Sequence, residues 1–118
     1  VDVFAPAIGT AHGLYKGEPQ IAFDRLKRIS EESRIPIAIH GGTGLSAEVF
    51  RRCIALGGAK INISTQIKHI FRDSLEAFFR DHPKDYEPVK PVGHMLQKAQ
   101  TDIEDFIQIF GSAGKVAE

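Results

Sequence analysis

The chain has 118 residues, 42% of them apolar, with 15 basic and 15 acidic side chains and a formal net charge of zero. That length lies inside the ordinary domain range and supports a core, while balanced, interspersed charge gives no reason to expect nucleic acid or an anionic membrane as partner. One cysteine, Cys53, excludes an internal disulfide and suits a reducing compartment; with no apolar run long enough for a membrane span and no signal-peptide pattern, a cytoplasmic protein is expected.

The chain opens on an apolar, strand-like run, Val1 to Gly9, without a methionine or a polar lead-in, so a piece of a longer chain is expected. After a turn around Lys16-Gly17-Glu18-Pro19, Ile21, Leu26 and Ile29 recur among charges at helical spacing, predicting an amphipathic helix over 21–34. Ile35 to Ile39 is a short apolar strand with Pro36 near its start, where a missing donor does least harm. Ser46 then caps a helix through Ala55, closed by Gly57-Gly58, and the next strand is expected at 59–63.

Thr65 is the expected cap of a helix running to Asp81, with Ile67, Ile70, Phe71, Leu75, Phe78 and Phe79 forming a broad apolar face. His82-Pro83 ends it, residues 85–91 form a loop with two prolines, and a last helix covers Gly93 to Phe110. Gly111 to Lys115 reads as flexible. Strand and helix therefore alternate three times, the pattern of parallel α/β structure with strands buried on both faces.

In such folds a ligand lies at the carboxyl ends of the strands, and all three polar motifs sit there. Two histidines are each followed by glycine, in Gly9-Thr10-Ala11-His12-Gly13 and in Ile39-His40-Gly41-Gly42-Thr43-Gly44, as two ligands of one metal beside backbone open to a substrate would be. The third motif, Lys60-Ile61-Asn62-Ile63-Ser64-Thr65, ends in groups suited to phosphate and hydroxyl. A glycine-rich turn from strand to helix, such as residues 41–44, is a natural anion site. Strand alternation puts Ala38 on the side of His40, and Lys60 and Ser64 on the side of Asn62; a charge at Lys60, one layer beneath Asn62, needs a partner.

The ordered set GTAHGLYKGEP, IHGGTG, KINIST and FGSAGK resembles the C-terminal part of a class II, zinc-dependent ketose-bisphosphate aldolase, over nearly the whole of residues 1–118. The resemblance implies the C-terminal portion of one TIM (β/α)8 barrel domain, three parallel strands with their helices, since a whole barrel needs ~250 residues. It implies aldol cleavage and condensation of a tagatose or fructose 1,6-bisphosphate to dihydroxyacetone phosphate and glyceraldehyde 3-phosphate. His12 and His40 fall on the family's zinc ligands. Gly13, Gly41, Gly42 and Thr43 fall on its contacts to the phosphorylated ketose, with Thr43 in place of a commoner serine. Asn62, Ser64 and Thr65 fall on the motif that holds the ketose hydroxyl and the phosphate, Asn62 assisting catalysis, and Ser64 stands where some members carry aspartate. A monovalent cation is the second candidate ion, and a homodimer or homotetramer the implied assembly.

The family's acid/base aspartate, its companion histidine ligand and the loop glutamate have no counterpart in this sequence, so these residues alone are expected to be inactive. His69 reads as a helix-surface residue, His82 and His94 as helix-boundary residues, and Cys53 as a small buried hydrophobe. Ser112-Ala113-Gly114 either ends a helix or lies near the active site or a subunit interface. Two rival functions are a Schiff-base aldolase using Lys60 as a desolvated nucleophile and an accessory subunit that keeps the fold without turnover.

Overall fold

The computed structural model describes residues 1–116 and divides into two compact units, Val1–Thr65 and Gln66–Glu118. In the first unit the elements run α1 (Phe23–Ser33), β1 (Ile37–Ile39), α2 (Ala47–Ala55) and β2 (Gly58–Ile61). β1 and β2 pair in parallel, Ala38 opposite Lys60 and Ile39 opposite Ile61. The segment predicted as a first strand contributes only a parallel bridge from Phe4 to Ile37, held by Phe4 N donating to Pro36 O at 2.9 Å and Ala38 N donating to Phe4 O at 2.8 Å. Pro6 has no N–H to extend that ladder, and the chain leaves the sheet soon after.

β1 is buried along its whole length, as a strand covered on both faces must be. Ile37 and Ile39 pack with Ile8, Leu26 and Cys53 into the core, flanked by Ile21, Phe23, Ile29, Val49, Leu56 and Ile61. α1 supplies Leu26 from its apolar stripe, and α2 supplies Phe50 and Cys53 from positions three apart on one face. Burial pushes the Cys53 thiol up, with the Arg52 charge pulling more weakly the other way, so this cysteine is a packing residue and not a reactive one. α2 starts as expected: Ser46 is extended at the N-cap and its hydroxyl accepts from Val49 N at 3.3 Å.

The second unit holds most of α3 (Thr65–Asp81) and all of α4 (Val89–Ile109). α3 buries Ile70, Ser74 and Phe78, a stripe of i, i+4 and i+8. Of the expected apolar face, Phe71 and Phe79 are instead exposed, at 52% and 49%. Thr65 is the first helical residue of α3 where a cap was expected.

α4 begins four residues earlier than its periodicity indicates, because Pro88 and Pro91 fit its start and do not delay it. Pro88 is the N-cap and Pro91 lies in the first turn, where the N–H groups lack intrahelical partners anyway. His94 consequently sits inside α4, while His82 follows α3 directly, its ring centre 4.8 Å from that of Phe78. His69 is half-buried, along a cleft shared with Asp73 and His94.

The start of the tail after α4 makes backbone hydrogen bonds to that helix. Gly111 takes φ 69°, its N–H bonds Gln108 O at 3.1 Å, and Ser112 N bonds Ile107 O at 3.0 Å. That pair of bonds is a Schellman motif, which satisfies carbonyls at the end of α4. Among the described residues no helix is long and apolar enough to cross a membrane.

Candidate functional site

The site lies where the parallel segments of the first unit end. His40 directly follows β1, and Asn62 directly follows β2, its N–H extending the ladder by a 2.9 Å bond to Ile39 O. His12 lies in the connection after the Phe4 segment, between Gly9 and Gly13, both of which take φ 96°.

The two imidazoles come together. Their ring centres are 5.6 Å apart and their planes differ by 13°. Two imidazoles on one tetrahedral zinc, at Zn–N distances of about 2.0–2.1 Å, have ring centres roughly 5–6 Å apart. Spacing and donor type allow a shared ion, and a catalytic zinc usually takes three protein ligands. Among the described residues no group of three or more His, Cys, Asp or Glu could hold a metal.

Asn62 joins His40 to Lys60. Its Nδ2 lies 3.2 Å from His40 Nε2 and 3.4 Å from Nδ1, and its Oδ1 accepts from Lys60 Nζ at 2.6 Å. An ammonium only donates, so the atom it meets must be the amide oxygen, which turns the amide N–H groups toward the imidazole. The partner that the sequence demands for Lys60 is thus Asn62. Within these residues Lys60 is exposed.

The glycine-rich turn after His40 is shaped by close contacts. Gly41 takes φ 67°, and a Cβ there would be driven into the backbone of Ala11. Gly42 is buried; a Cβ on it would stand 2.7 Å from Ile63 Cδ1 and 3.0 Å from Phe50 Cε1. Thr43 is also buried, whereas Gly13 is half-buried. Leu45 N closes the turn on Gly42 O at 3.1 Å, one residue before the Ser46 cap of α2. Ser64 is exposed and Thr65 half-buried, past the end of β2.

Sequence reasoning missed Tyr15. Its hydroxyl donates to Gly41 O at 2.7 Å and accepts from Ala11 N at 3.1 Å. A cleft of about 650 Å³ opens beside it, lined by Lys16, Gly44, Leu45, Ser46 and Val49 among others. Nothing periodic marks such a residue; the only signal is an aromatic with a polar tip three positions after a histidine in a segment without regular structure.

Residues 1–115 match the family described as fructose-bisphosphate aldolase class-II. The chain belongs to that family. It is 36% identical to a fructose-bisphosphate aldolase of Geobacillus stearothermophilus over 118 residues, which are 100% of this chain and 41% of that protein. It is 37% identical to the D-tagatose-1,6-bisphosphate aldolase subunit GatY of Klebsiella oxytoca over 108 residues, 92% of this chain and 37% of that one. Among solved structures, the YdjI aldolase of Escherichia coli K12 superimposes with a TM-score of 0.82 at 28% identity, covering 98% of this chain and 41% of that one. The chain thus spans about two fifths of these relatives, and its fold is a portion of a TIM barrel. Its parallel segments carry the motifs at their carboxyl ends, the side on which such barrels place their chemistry.

Proposed function

We propose that this chain forms part of a zinc-dependent aldolase that cleaves a ketose 1,6-bisphosphate, tagatose or fructose, into dihydroxyacetone phosphate and glyceraldehyde 3-phosphate, and that it supplies two metal ligands and the phosphate seat. The observation that carries the reading is the convergence of His40 and Asn62, directly after the paired strands, with His12 from the connection beyond the Phe4 bridge. Family membership and the names of the relatives support it.

His12 and His40 would hold the zinc, with a further ligand from outside these residues. Bound zinc supplies Lewis-acid stabilisation of the negative charge that develops as the sugar splits. In the cleavage direction the C4 hydroxyl loses its proton to a base, the C3–C4 bond breaks with its electron pair staying on the dihydroxyacetone-phosphate half, and that half then takes up a proton at C3. Asn62, held by Lys60 with its amide N–H groups turned inward, donates to a hydroxyl of that half. Backbone N–H groups of Gly13, Gly41 and Gly42, with the hydroxyls of Thr43, Ser64 and Thr65, hold the phosphate, whose remote binding energy fixes the reacting carbons in place. The base is expected outside this chain. The enzyme is expected to assemble as a homodimer or homotetramer.

The test uses the complete polypeptide that contains these residues. Chelation should abolish cleavage of both sugar bisphosphates, zinc should restore it, and His40→Ala should prevent the restoration. Activity that survives exhaustive chelation and is trapped by borohydride with substrate would replace this reading with the Schiff-base mechanism. Relative turnover of tagatose and fructose 1,6-bisphosphates then assigns the substrate.

A further inference from the structure

The two histidines sit on connections with no regular secondary structure, yet their rings lie nearly parallel at 5.6 Å. Something must hold the connections in register, because a metal ligand displaced by an ångström loses its geometry. The sheet does this for His40 through β1. It does not do it for His12, eight residues beyond the bridge at Phe4 and on the far side of Gly9.

Tyr15 crosses between the two connections. Its phenol takes a hydrogen bond from the amide of Ala11, the residue before one histidine, and gives one to the carbonyl of Gly41, the residue after the other. Both of its hydrogen-bonding functions are therefore used, one on each side. The same two residues, Ala11 and Gly41, are pressed so closely that only glycine fits at 41. The tyrosine ring also lies along the turn, 3.7 Å from the place a Cβ on Gly44 would take. Contact and brace act at one point, between the histidines.

We propose that Tyr15 is a positioning residue for the metal site: its hydroxyl ties the His12 connection to the His40 connection and so sets the separation of the two imidazoles. Both of these hydrogen bonds are to backbone groups. The inference rests on the zinc reading above, and its test separates the two. A brace of this kind belongs with the outer-shell groups that orient metal ligands, whose loss weakens metal affinity by roughly 10–100-fold.

In the complete polypeptide, zinc affinity is measured by competition with a chromophoric chelator for the wild type and for Tyr15→Phe, which keeps the ring and deletes only the hydroxyl. The expected result is a loss of affinity on the order of 10-fold or more, with an altered visible spectrum when cobalt(II) replaces zinc. Equal affinities and identical spectra would overturn the brace and leave the metal reading standing. A wild type that binds no zinc would overturn the metal reading and the brace with it. Should the variant not fold, the coupling is read in the wild type: by reciprocity of linkage, zinc must slow hydrogen exchange at the Ala11 amide, and unchanged exchange there overturns the proposal.

Discussion

The two units of this chain use apolar residues in opposite ways. In residues 1–65 they converge: Ile8, Leu26, Ile37, Ile39, Phe50 and Cys53 are all essentially inaccessible. In residues 66–118 they spread: Phe71, Phe79, Val92, Leu96, Ile103 and Ile107 remain substantially exposed, and α4 buries only Pro91. The first unit also carries the histidines, the glycine-rich turn and Asn62, although Val3, Phe4 and Leu14 remain exposed in it. The second unit is a helical hairpin that leaves apolar side chains exposed on both helices. The lesson is that the motifs of this chain stand on the half with the more completely buried core.

The largest stability effect should therefore fall in the first unit. Leu26→Ala empties a site with no exposure between α1 and the sheet, and a cost of about 2–5 kcal/mol in denaturant unfolding is expected. A cost below about 1 kcal/mol would show that this core is not what holds the site. Gly41→Ala comes next, because it combines a positive φ with a collision against Ala11. Strain of about 1–3 kcal/mol should appear together with weakened zinc binding, whereas Leu26→Ala should cost stability with little change in zinc affinity below its unfolding transition. Metal titration beside chemical denaturation distinguishes the two patterns.

A smaller difference separates the helix starts. α2 is capped by the Ser46 hydroxyl, while Pro88 at the start of α4 makes no side-chain cap. Ser46→Ala should cost about 1 kcal/mol, read as a shift of the denaturation midpoint at unchanged slope. Because the cap adjoins the turn after His40, faster amide exchange at Val49 should accompany it.

How much of this was legible follows from which forces decide each feature. The α1, α2 and β1 segments could be read because periodicity, the Ser46 cap and an apolar run all point the same way. The convergence of His12 and His40 could be anticipated from parallel topology, which brings strand ends to one rim. The start of α4 could not, since proline reads as a breaker unless the first turn's lack of bonding partners is taken into account. The first strand shrank to one bridge because apolar composition does not reveal where a proline interrupts the ladder. Tyr15 was hidden for a different reason. Its role depends on two backbone groups distant in sequence, and no local pattern encodes that contact.

The smallest expected effect sharpens the contrast through pH. In the second unit Asp85 accepts from Lys90 Nζ at 2.7 Å and from Glu87 N at 3.2 Å, tying the loop after α3 to the first turn of α4. These bonds, the lysine's first and the backbone's second, hold its carboxyl below its ordinary value. A depressed folded-state pKa means that the unfolded chain binds the proton more readily. The stabilisation is thus complete above the unfolded pKa, near 4, and is lost as pH falls through the lower folded value. Asp85→Asn should remove that dependence. Amide exchange at Glu87 and Lys90 should rise, relative to intrinsic rates, between pH 5 and pH 3 in the wild type and be already raised at pH 5 in the variant. The Ala22 amide of the first unit, bonded to Ile8 O at 2.8 Å, has no carboxylate in its bond and should keep its protection over the same range. Equal acid sensitivity in the two places would show that the loss of protection does not arise from the Asp85 bonds.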